Sequence, residues 1–177
     1  MIKLMVKKTR ASCLAGSAFF VLSLLVSGPA SAGEVVSFDE PGIASGTIVV
    51  RTLERRLYYV LPEGHAVRYS VGVGRTGQQW AGQAVITGKY LRPNWAPPDS
   101  MRKNRPNLPD FIPSGSPANP MGAAAMTLSG GDYAIHGTNA PDSIGGFVSS
   151  GCIRMYNADI SDLFARVDVG TSVLVTR

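Results

Sequence analysis

The stretch TIVVRTLERRLYYVLPEGHAVRYSVGV, residues 47–73, decides the class of fold. It holds three runs rich in β-branched and aromatic residues, at 47–51, 56–61 and 66–73. Such runs are typical of strands. A short polar turn separates the first two runs, and a Pro-Glu-Gly-His turn at 62–65 separates the second from the third. Because short connections join neighbouring strands in antiparallel order, the stretch predicts a three-stranded meander.

The rest of the chain predicts further strands. Apolar, strand-like runs return at 85–87, 90–91, 124–128, 133–135 and 172–176. A Gly-Gly turn separates the third run from the fourth, and the fourth leads directly into a histidine. The pattern indicates a mostly β domain without internal repeats.

One helix is predicted after Met155. An apolar stripe at i, i+3, i+4 and i+7 is typical of a short amphipathic helix, and it consists of Ile160, Leu163, Phe164 and Val167. Asn157 is the predicted N-cap, since its side chain can accept a hydrogen bond from an early backbone N–H of the helix.

The segment Pro93–Pro120 differs in texture from the rest of the chain. It holds eight of the twelve prolines, with a basic cluster at Met101–Arg105. A segment of this length without clear regular structure inside a compact domain is usually functional or mobile. We interpret it as a lid or rim over a groove; the alternative is a surface loop with no such role.

The first 32 residues have the composition of a secretory signal. Four basic residues precede an apolar run at 11–26, and Ala30-Ser31-Ala32 places small residues where a signal peptidase cleaves. We expect cleavage after Ala32, followed by a short extended leader at 33–46. The alternative is an uncleaved anchor, because the apolar run approaches the length that spans a bilayer.

Removal of residues 1–32 changes what the charge and the cysteines imply. It leaves 13 basic against 12 acidic residues, a net charge of +1. There is no basic stripe with interleaved aromatics, so we expect no nucleic-acid partner. Cys13 departs with the signal, and Cys152 becomes the single cysteine. In an oxidising compartment such a residue is buried and inert, an intermolecular disulfide partner, or a reactive nucleophile.

The stretch HGTNAPDSIGGFVSSGCIRM, residues 136–155, favours the nucleophile. His136 ends an apolar strand, which is a rigid mount for a functional group. Cys152 follows Ser-Ser-Gly, small residues that permit a sharp turn and leave the sulfur accessible. A nearby histidine lowers the pKa of a thiol and accepts its proton, and backbone N–H groups of the turn can form an oxyanion site. Arg154 adds positive charge for the thiolate or for a substrate carboxylate.

Each of these residues also has a purely structural interpretation. His136 can be a hydrogen-bonded structural group, Cys152 an inert core residue and Arg154 a surface charge. His65, in a turn, is interpreted as structural. No metal site is predicted, because one cysteine and two histidines supply at most three of the four usual zinc ligands. The residues alone predict a Cys–His hydrolase or acyltransferase.

At these residues the sequence resembles the YkuD-type L,D-transpeptidase catalytic domain, of the ErfK/YbiS-like kind. That family pairs His-Gly-Thr or His-Gly-Ser with Ser-x-Gly-Cys-x-Arg. The same pattern here is His136-Gly137-Thr138 and Ser149-Ser150-Gly151-Cys152-Ile153-Arg154. Four more segments fit the family pattern: Arg56-Leu57-Tyr58, Val71-Gly72-Val73-Gly74, Thr87-Gly88 and Asn119-Pro120-Met121-Gly122. The resemblance covers 47–177, which is the predicted catalytic domain.

The resemblance implies a fold and catalytic roles. The implied fold is mostly β, a YkuD-like β-sandwich or meander with one or two short helices and a long Pro-rich loop. Cys152 would be the nucleophile and His136 the general base. The carbonyl of Gly137 would orient the imidazole, and the backbone at Gly151 would help to stabilise the oxyanion.

The resemblance also implies the substrate, a peptidoglycan stem peptide. Arg154 and Ser150 would contact it, although many members have histidine at the position of Ser150, so that residue's role does not carry over. Cys152 would attack the bond between the L-centre of the diamino acid at position three and a terminal D-alanine. The resulting thioester would pass to an amine, giving a 3→3 cross-link or anchoring an outer-membrane protein through a lysine.

The implied setting is cell-wall organisation and cell shape in a bacterial periplasm, with no cofactor. Carbapenem-type inhibitors would acylate Cys152. Two alternatives stay open: an L,D-carboxypeptidase or endopeptidase that hydrolyses the same peptides, and a non-catalytic wall-binding module.

Overall fold

A computed structural model describes residues 32–104 and 107–177. Ten strands run in chain order: β1 Glu34–Ser37, β2 Ile48–Arg51, β3 Arg56–Leu61, β4 His65–Gly74, β5 Gly82–Leu91, β6 Ala124–Leu128, β7 Ala134–His136, β8 Phe147–Ser149, β9 Ile153–Met155 and β10 Ser172–Thr176. Two helices accompany them, α1 Asp99–Asn104 and α2 Asn157–Arg166, with a 3-10 turn at Pro141–Ser143. In these ranges neither helix has the length and apolarity that crossing a bilayer requires. The predicted signal at 1–32, with Cys13, lies outside the described residues except for Ala32.

The predicted three-stranded meander is confirmed. Strands β2, β3 and β4 pair antiparallel, with Ile48 opposite Tyr59 and Val60 opposite Ala66. The last strand, β10, lies beside β2 in parallel and beside β5 in antiparallel orientation. The strand that is last along the chain therefore occupies the interior of the sheet.

The sheet closes on itself through β4. The order β4-β3-β2-β10-β5-β6-β7-β9 returns to β4, because β9 pairs with its second half, Val71 opposite Met155. Strand β1 pairs with the first half of β4, and β8 runs parallel to its end. The predicted mostly β fold with one or two short helices is confirmed, and the ten-residue β4 joins its two sides.

The core lies between the sheet and α2. Its largest fully buried side chains include Tyr69, Met126, Ile135, Ile160 and Leu163. Burial of an aliphatic side chain of this size stabilises the fold by about 2 kcal/mol. The predicted apolar stripe of α2 is confirmed, since Ile160 and Leu163 are its buried residues and α2 packs against β6.

Several boundaries differ from the sequence-based expectations. Strand β5 covers ten residues, 82–91, and is longer than the short strand region expected from the runs at 85–87 and 90–91. The segment expected as an extended leader contains β1, paired with β4. Strands β8 and β9 were not predicted; at three residues each, they are too short to show a clear alternation.

The proline-rich segment carries only α1 and one isolated bridge, Trp95 with Ile112, among its described residues. Its base is fastened by Asn119, which is 4% exposed. The Asn119 amide donates to the carbonyls of Pro93 and Pro113 and accepts from the Met121 N–H. The expected basic cluster is partly neutralised, because Arg102 pairs with Asp110. A lid role stays a prediction.

Candidate active site

The predicted site residues come together because β7 and β9 are parallel neighbours. Ile135 lies opposite Ile153, and His136 lies opposite Arg154. Both isoleucines are buried in the core, and side chains alternate between the two faces of a strand. His136 and Arg154 therefore project from the other face, as does Cys152, two residues before Arg154. This register explains how groups sixteen positions apart in the chain share one face.

The His136 ring is enclosed and held in one tautomer. It is 2% exposed, and its Nδ1 lies 2.7 Å from the carbonyl oxygen of Gly137, the contact expected for that residue. A carbonyl only accepts, so Nδ1 carries the hydrogen and Nε2 is the nitrogen that can take a proton. Burial, aided by the charge of Arg154, lowers the pKa of His136 to about 4 against the opposing hydrogen bonds to the Gly137 and Pro120 carbonyls. The imidazole is thus neutral near pH 7.

Cys152 is a free, partly buried thiol at the start of β9. Its Sγ lies 3.8 Å from the carbonyl oxygen of Asp132. Burial raises the pKa of the thiol, and the backbone of Ala134 and the charge of Arg154 oppose that rise. With the thiol pKa raised and the imidazole pKa lowered, the resting pair is neutral. A proton must therefore move from sulfur to nitrogen when substrate is attacked.

The turn before Cys152 is fixed by Ser149, which is 3% exposed. Its hydroxyl donates to the Cys152 carbonyl at 2.6 Å and accepts from the Gly151 N–H at 3.1 Å. The Gly151 N–H, expected as an oxyanion donor, donates to the serine hydroxyl in this structure; its role toward an oxyanion stays a prediction. Gly151 also supplies conformation, since its φ of +122° is one that residues with a Cβ rarely adopt.

The loop after β4, residues 75–80, wraps around this turn and was not predicted to belong to the site. The Arg75 N–H donates to the Ser149 carbonyl, and its guanidinium donates to Ser150 Oγ at 3.2 Å. Trp80 Nε1 donates to the Gly151 carbonyl at 3.0 Å. The feature of the sequence that could have indicated this contact is Trp80, a single tryptophan in a polar loop that contains glycine.

Trp80 also stacks on Tyr133, with ring centroids 4.8 Å apart and an interplanar angle of 12°. A Cβ on Gly151 would lie 2.4 Å from the Tyr133 ring. The stacked rings therefore pack directly against the backbone of the turn and exclude any other residue at that position.

Asn157 fastens the His-Gly-Thr loop to α2. It was predicted as the N-cap, but Tyr156 occupies the cap position and Asn157 is the first helical residue. The reason is that its amide is used elsewhere: Oδ1 accepts from the N–H groups of Ala123 and Thr138, and Nδ2 donates to the Thr138 carbonyl. A Cβ on Gly137 would lie 2.4 Å from Asn157 Oδ1, so only glycine fits there.

Arg154 and Ser150 occupy the rim of the site. Arg154 is half-buried, and its charge acts on both Cys152 and His136. Ser150 is exposed, two residues before the thiol. His65 begins β4 opposite Leu61, apart from these residues, as its structural interpretation requires.

Two other features of the described ranges lie elsewhere. Within residues 32–104 and 107–177, no three His, Cys, Asp or Glu side chains converge as a metal site would require. A cavity of about 380 Å³ lies against β5 and β10, with Ala84, Val85 and Val173 among its lining residues. Its lining includes neither His136 nor Cys152, so the chemistry and this cavity are separate.

Residues 45–175 match the YkuD family, the L,D-transpeptidase catalytic domain. The chain belongs to that family. The probable L,D-transpeptidase ErfK/SrfK of Escherichia coli K12 is 44% identical over 135 residues, 72% of this chain and 43% of the relative. The putative L,D-transpeptidase YqjB of Bacillus subtilis 168 is 36% identical, over 73% of this chain and 70% of the relative. The chain thus spans less than half the length of the first of these L,D-transpeptidases.

Solved L,D-transpeptidases share the fold at low sequence identity. The avibactam carbamoyl enzyme of Ldtfm gives a TM-score of 0.60 at 21% identity, over 78% of this chain and 51% of that one. L,D-transpeptidase 3 of Mycobacterium tuberculosis, with a faropenem-derived adduct, gives 0.57 at 19% identity, over 74% and 60%. These likenesses support the fold of this L,D-transpeptidase-family chain.

Proposed function

We propose that this chain is an exported cysteine acyltransferase, an L,D-transpeptidase acting on peptidoglycan stem peptides. One observation carries the proposal: the β7–β9 register sets His136, Cys152 and Arg154 on one face, in a chain of the L,D-transpeptidase family. The names of its relatives in two bacterial species support the activity.

The proposed first half-reaction starts from the neutral pair. The scissile carbonyl lies between the L-centre of the diamino acid and D-alanine. As Sγ of Cys152 attacks it, Nε2 of His136 takes the thiol proton. In this proposal the N–H of Cys152 donates to the oxyanion, a contribution of about 3 kcal/mol to the transition state. The C–N bond then breaks, the imidazolium returns the proton to the leaving amine, and a thioester stays on Cys152.

The second half-reaction releases the enzyme. An acceptor amine attacks the thioester carbonyl, His136 takes a proton from that amine, and the thiol of Cys152 is regenerated as the amide forms. A second stem peptide as acceptor gives a 3→3 cross-link, and a protein lysine gives anchoring. Water as acceptor gives hydrolysis, the alternative function. The proposal also includes export of the chain to the periplasm, with removal of the signal by cleavage after Ala32.

The first prediction is tested on isolated wall fragments. Protein beginning at residue 33 and its Cys152→Ala variant are incubated with tetrapeptide-bearing fragments, and products are separated by mass spectrometry. We expect D-alanine release and cross-linked dimers from the wild type and neither from the variant. Tripeptides without dimers, even with added amine acceptors, would identify a hydrolase. If the protein processes no fragments, although a covalent probe still forms an adduct on Cys152, the result would indicate the wall-binding module.

A covalent probe tests the nucleophile separately. A carbapenem should add its full mass to the wild type but not to Cys152→Ala, since the β-lactam carbonyl traps the thiolate as a stable acyl-enzyme. The structure of the E. faecium L,D-transpeptidase catalytic domain acylated by ertapenem, a carbapenem, supports this choice of probe. A His136→Gln variant should react at least about a hundredfold more slowly, because it lacks the general base. Equal rates in the two proteins would contradict the Cys–His pairing.

A further inference from the structure

Two arginines stand beside the turn of Cys152 without a carboxylate partner. Arg75 is exposed and donates to Ser150 Oγ at 3.2 Å. Arg154 is half-buried and lies two residues after the thiol. Within residues 32–104 and 107–177 neither forms an ion pair, whereas four other arginines do, namely Arg51, Arg68, Arg102 and Arg166.

The sheet holds these two cations near each other. Strand β4 pairs with β9 at Gly72 opposite Arg154, and with β8 at Gly74 opposite Ser149. Arg75 follows Gly74 directly, so the same strand end carries it to the turn. Burial lowers the pKa of Arg154, and the charge of Arg75 adds to that fall. Two like charges without a counter-ion raise the free energy of the empty site, and an anion between them relieves that cost.

We propose that Arg75, Ser150 and Arg154 form a carboxylate-binding subsite beside Cys152. A guanidinium has five N–H donors, and Arg75 spends only one on Ser150 among the described residues. Ser150 accepts that bond, so its own hydroxyl hydrogen is available to an anion. The inference rests on the proposed function for its ligand, a carboxylate of the acyl donor. The donor carries one on its terminal D-alanine and, where the diamino acid is dicarboxylic, another on that side chain.

The subsite is tested with two small reagents that differ only in charge at the relevant group. Iodoacetate carries a carboxylate and iodoacetamide does not; each loses iodide to the thiolate of Cys152 and leaves an S-alkyl group. The measured quantity is the ratio of the two rate constants, iodoacetate over iodoacetamide. We expect Arg75→Gln to lower this ratio about tenfold, the effect of losing a charge-assisted contact to the anion.

Arg68→Gln is the matched control. It removes a like charge from β4 itself, seven residues and about 23 Å before Arg75. There Arg68 pairs with Glu34. Its ratio should equal that of the wild type. A ratio unchanged in Arg75→Gln, or lowered equally in both variants, would overturn the subsite. Alkylation needs only a reactive thiol, so this result is independent of whether transpeptidation occurs.

Three tetrapeptide donors then identify which carboxylate binds. One has both carboxylates free, one has a C-terminal D-alaninamide, and one has a side-chain carboxamide on the diamino acid. Acyl-enzyme formation is followed for the wild type and for Arg75→Gln. If replacing one carboxylate by an amide removes the difference in acyl-enzyme formation between the wild type and Arg75→Gln, that carboxylate is the one that binds. The same loss on all three donors would overturn the assignment.

Discussion

At the residue scale, the motif residues were predictable and their supports were not. His136, Cys152 and Arg154 stand out in the sequence because chemistry needs those residue types, and the structure places all three on one face. Trp80 and Asn157 belong to no motif. Trp80 binds the site through one hydrogen bond and Asn157 through three, all to backbone atoms distant in the chain. The hydrogen bond from the Gly151 N–H to the Ser149 hydroxyl was not predictable either, because no pattern distinguishes that hydroxyl from its neighbours.

The burial of His136 predicts a loss of stability in acid. Its pKa falls from 6.5 to about 4 in the folded protein, so between these values the unfolded chain binds the proton more readily. Stability from this residue is complete above pH 6.5 and is lost as the pH falls towards 4, by about 2 kcal/mol between pH 7 and pH 5. Urea unfolding at the two pH values should show that His136→Gln escapes this loss.

His65→Gln is the control for that measurement. It removes an exposed histidine at the start of β4, and its stability should keep the wild-type dependence on pH. Carboxylates titrate in the same pH window. Both variants have the same carboxylates, so their contribution cancels in the difference between the two stabilities. If both variants follow the wild type, the enclosed ring does not govern the acid response.

At the element scale, elements with a clear apolar pattern were predictable and some short strands were not. Strands β3 and β4 and the buried stripe of α2 show their patterns over six or more residues. Strands β8 and β9 have three residues each, and their pairing with β4 and β7 depends on contacts across the sheet. These two short strands nonetheless flank the turn of Cys152, so the least predictable elements support the thiol.

The junction between α2 and the His-Gly-Thr loop yields a prediction for Asn157. Asn157→Ala removes three hydrogen bonds and should cost about 2–3 kcal/mol of unfolding free energy. It should also slow acyl-enzyme formation, because the Gly137 carbonyl that orients His136 loses its support. Asn157→Asp keeps the acceptor oxygen but loses the N–H donor. Its unfolding free energy and its rate of acyl-enzyme formation should lie between those of the wild type and Asn157→Ala. Both quantities are measurable, by urea unfolding and by adduct mass.

Ser161→Ala serves as the comparison, since its exposed hydroxyl bonds only to the carbonyl of Asn157 on the same helix. It should leave the rate of acyl-enzyme formation unchanged. An Asn157→Ala protein that is destabilised yet acylates at the wild-type rate would show that Asn157 supports only the fold.

At the scale of the whole molecule, the closure of the sheet was not predictable. It requires β4 to pair with β3 along one half and with β9 along the other, and registers between distant strands are set by packing rather than by local pattern. The pattern of residues predicted a mostly β domain with a meander, and the family resemblance implied a YkuD-like sandwich or meander; neither predicted the closure.

This closure predicts a specific sensitivity at Gly72. A Cβ there would lie 2.9 Å from the Ser143 carbonyl oxygen and 3.1 Å from Val148 Cγ2. Gly72→Ala should therefore cost about 1–3 kcal/mol through overpacking. It should also displace Ser143 together with Val148 of β8, the strand before the turn of Cys152, and slow acylation. Ser70→Ala, at a less crowded position of β4, should do neither. If Gly72→Ala melts and acylates like the wild type, the residues around Gly72 accommodate a Cβ without cost.

The interior position of β10 has a consequence for how the chain acquires its shape. Until residues 172–176 are in place, β2 and β5 each present an unpaired edge, the kind of surface on which other chains assemble. A partly synthesised chain therefore cannot complete its sheet, whatever its earlier segments do. Its two open edges need protection from self-association until residues 172–176 have emerged and paired.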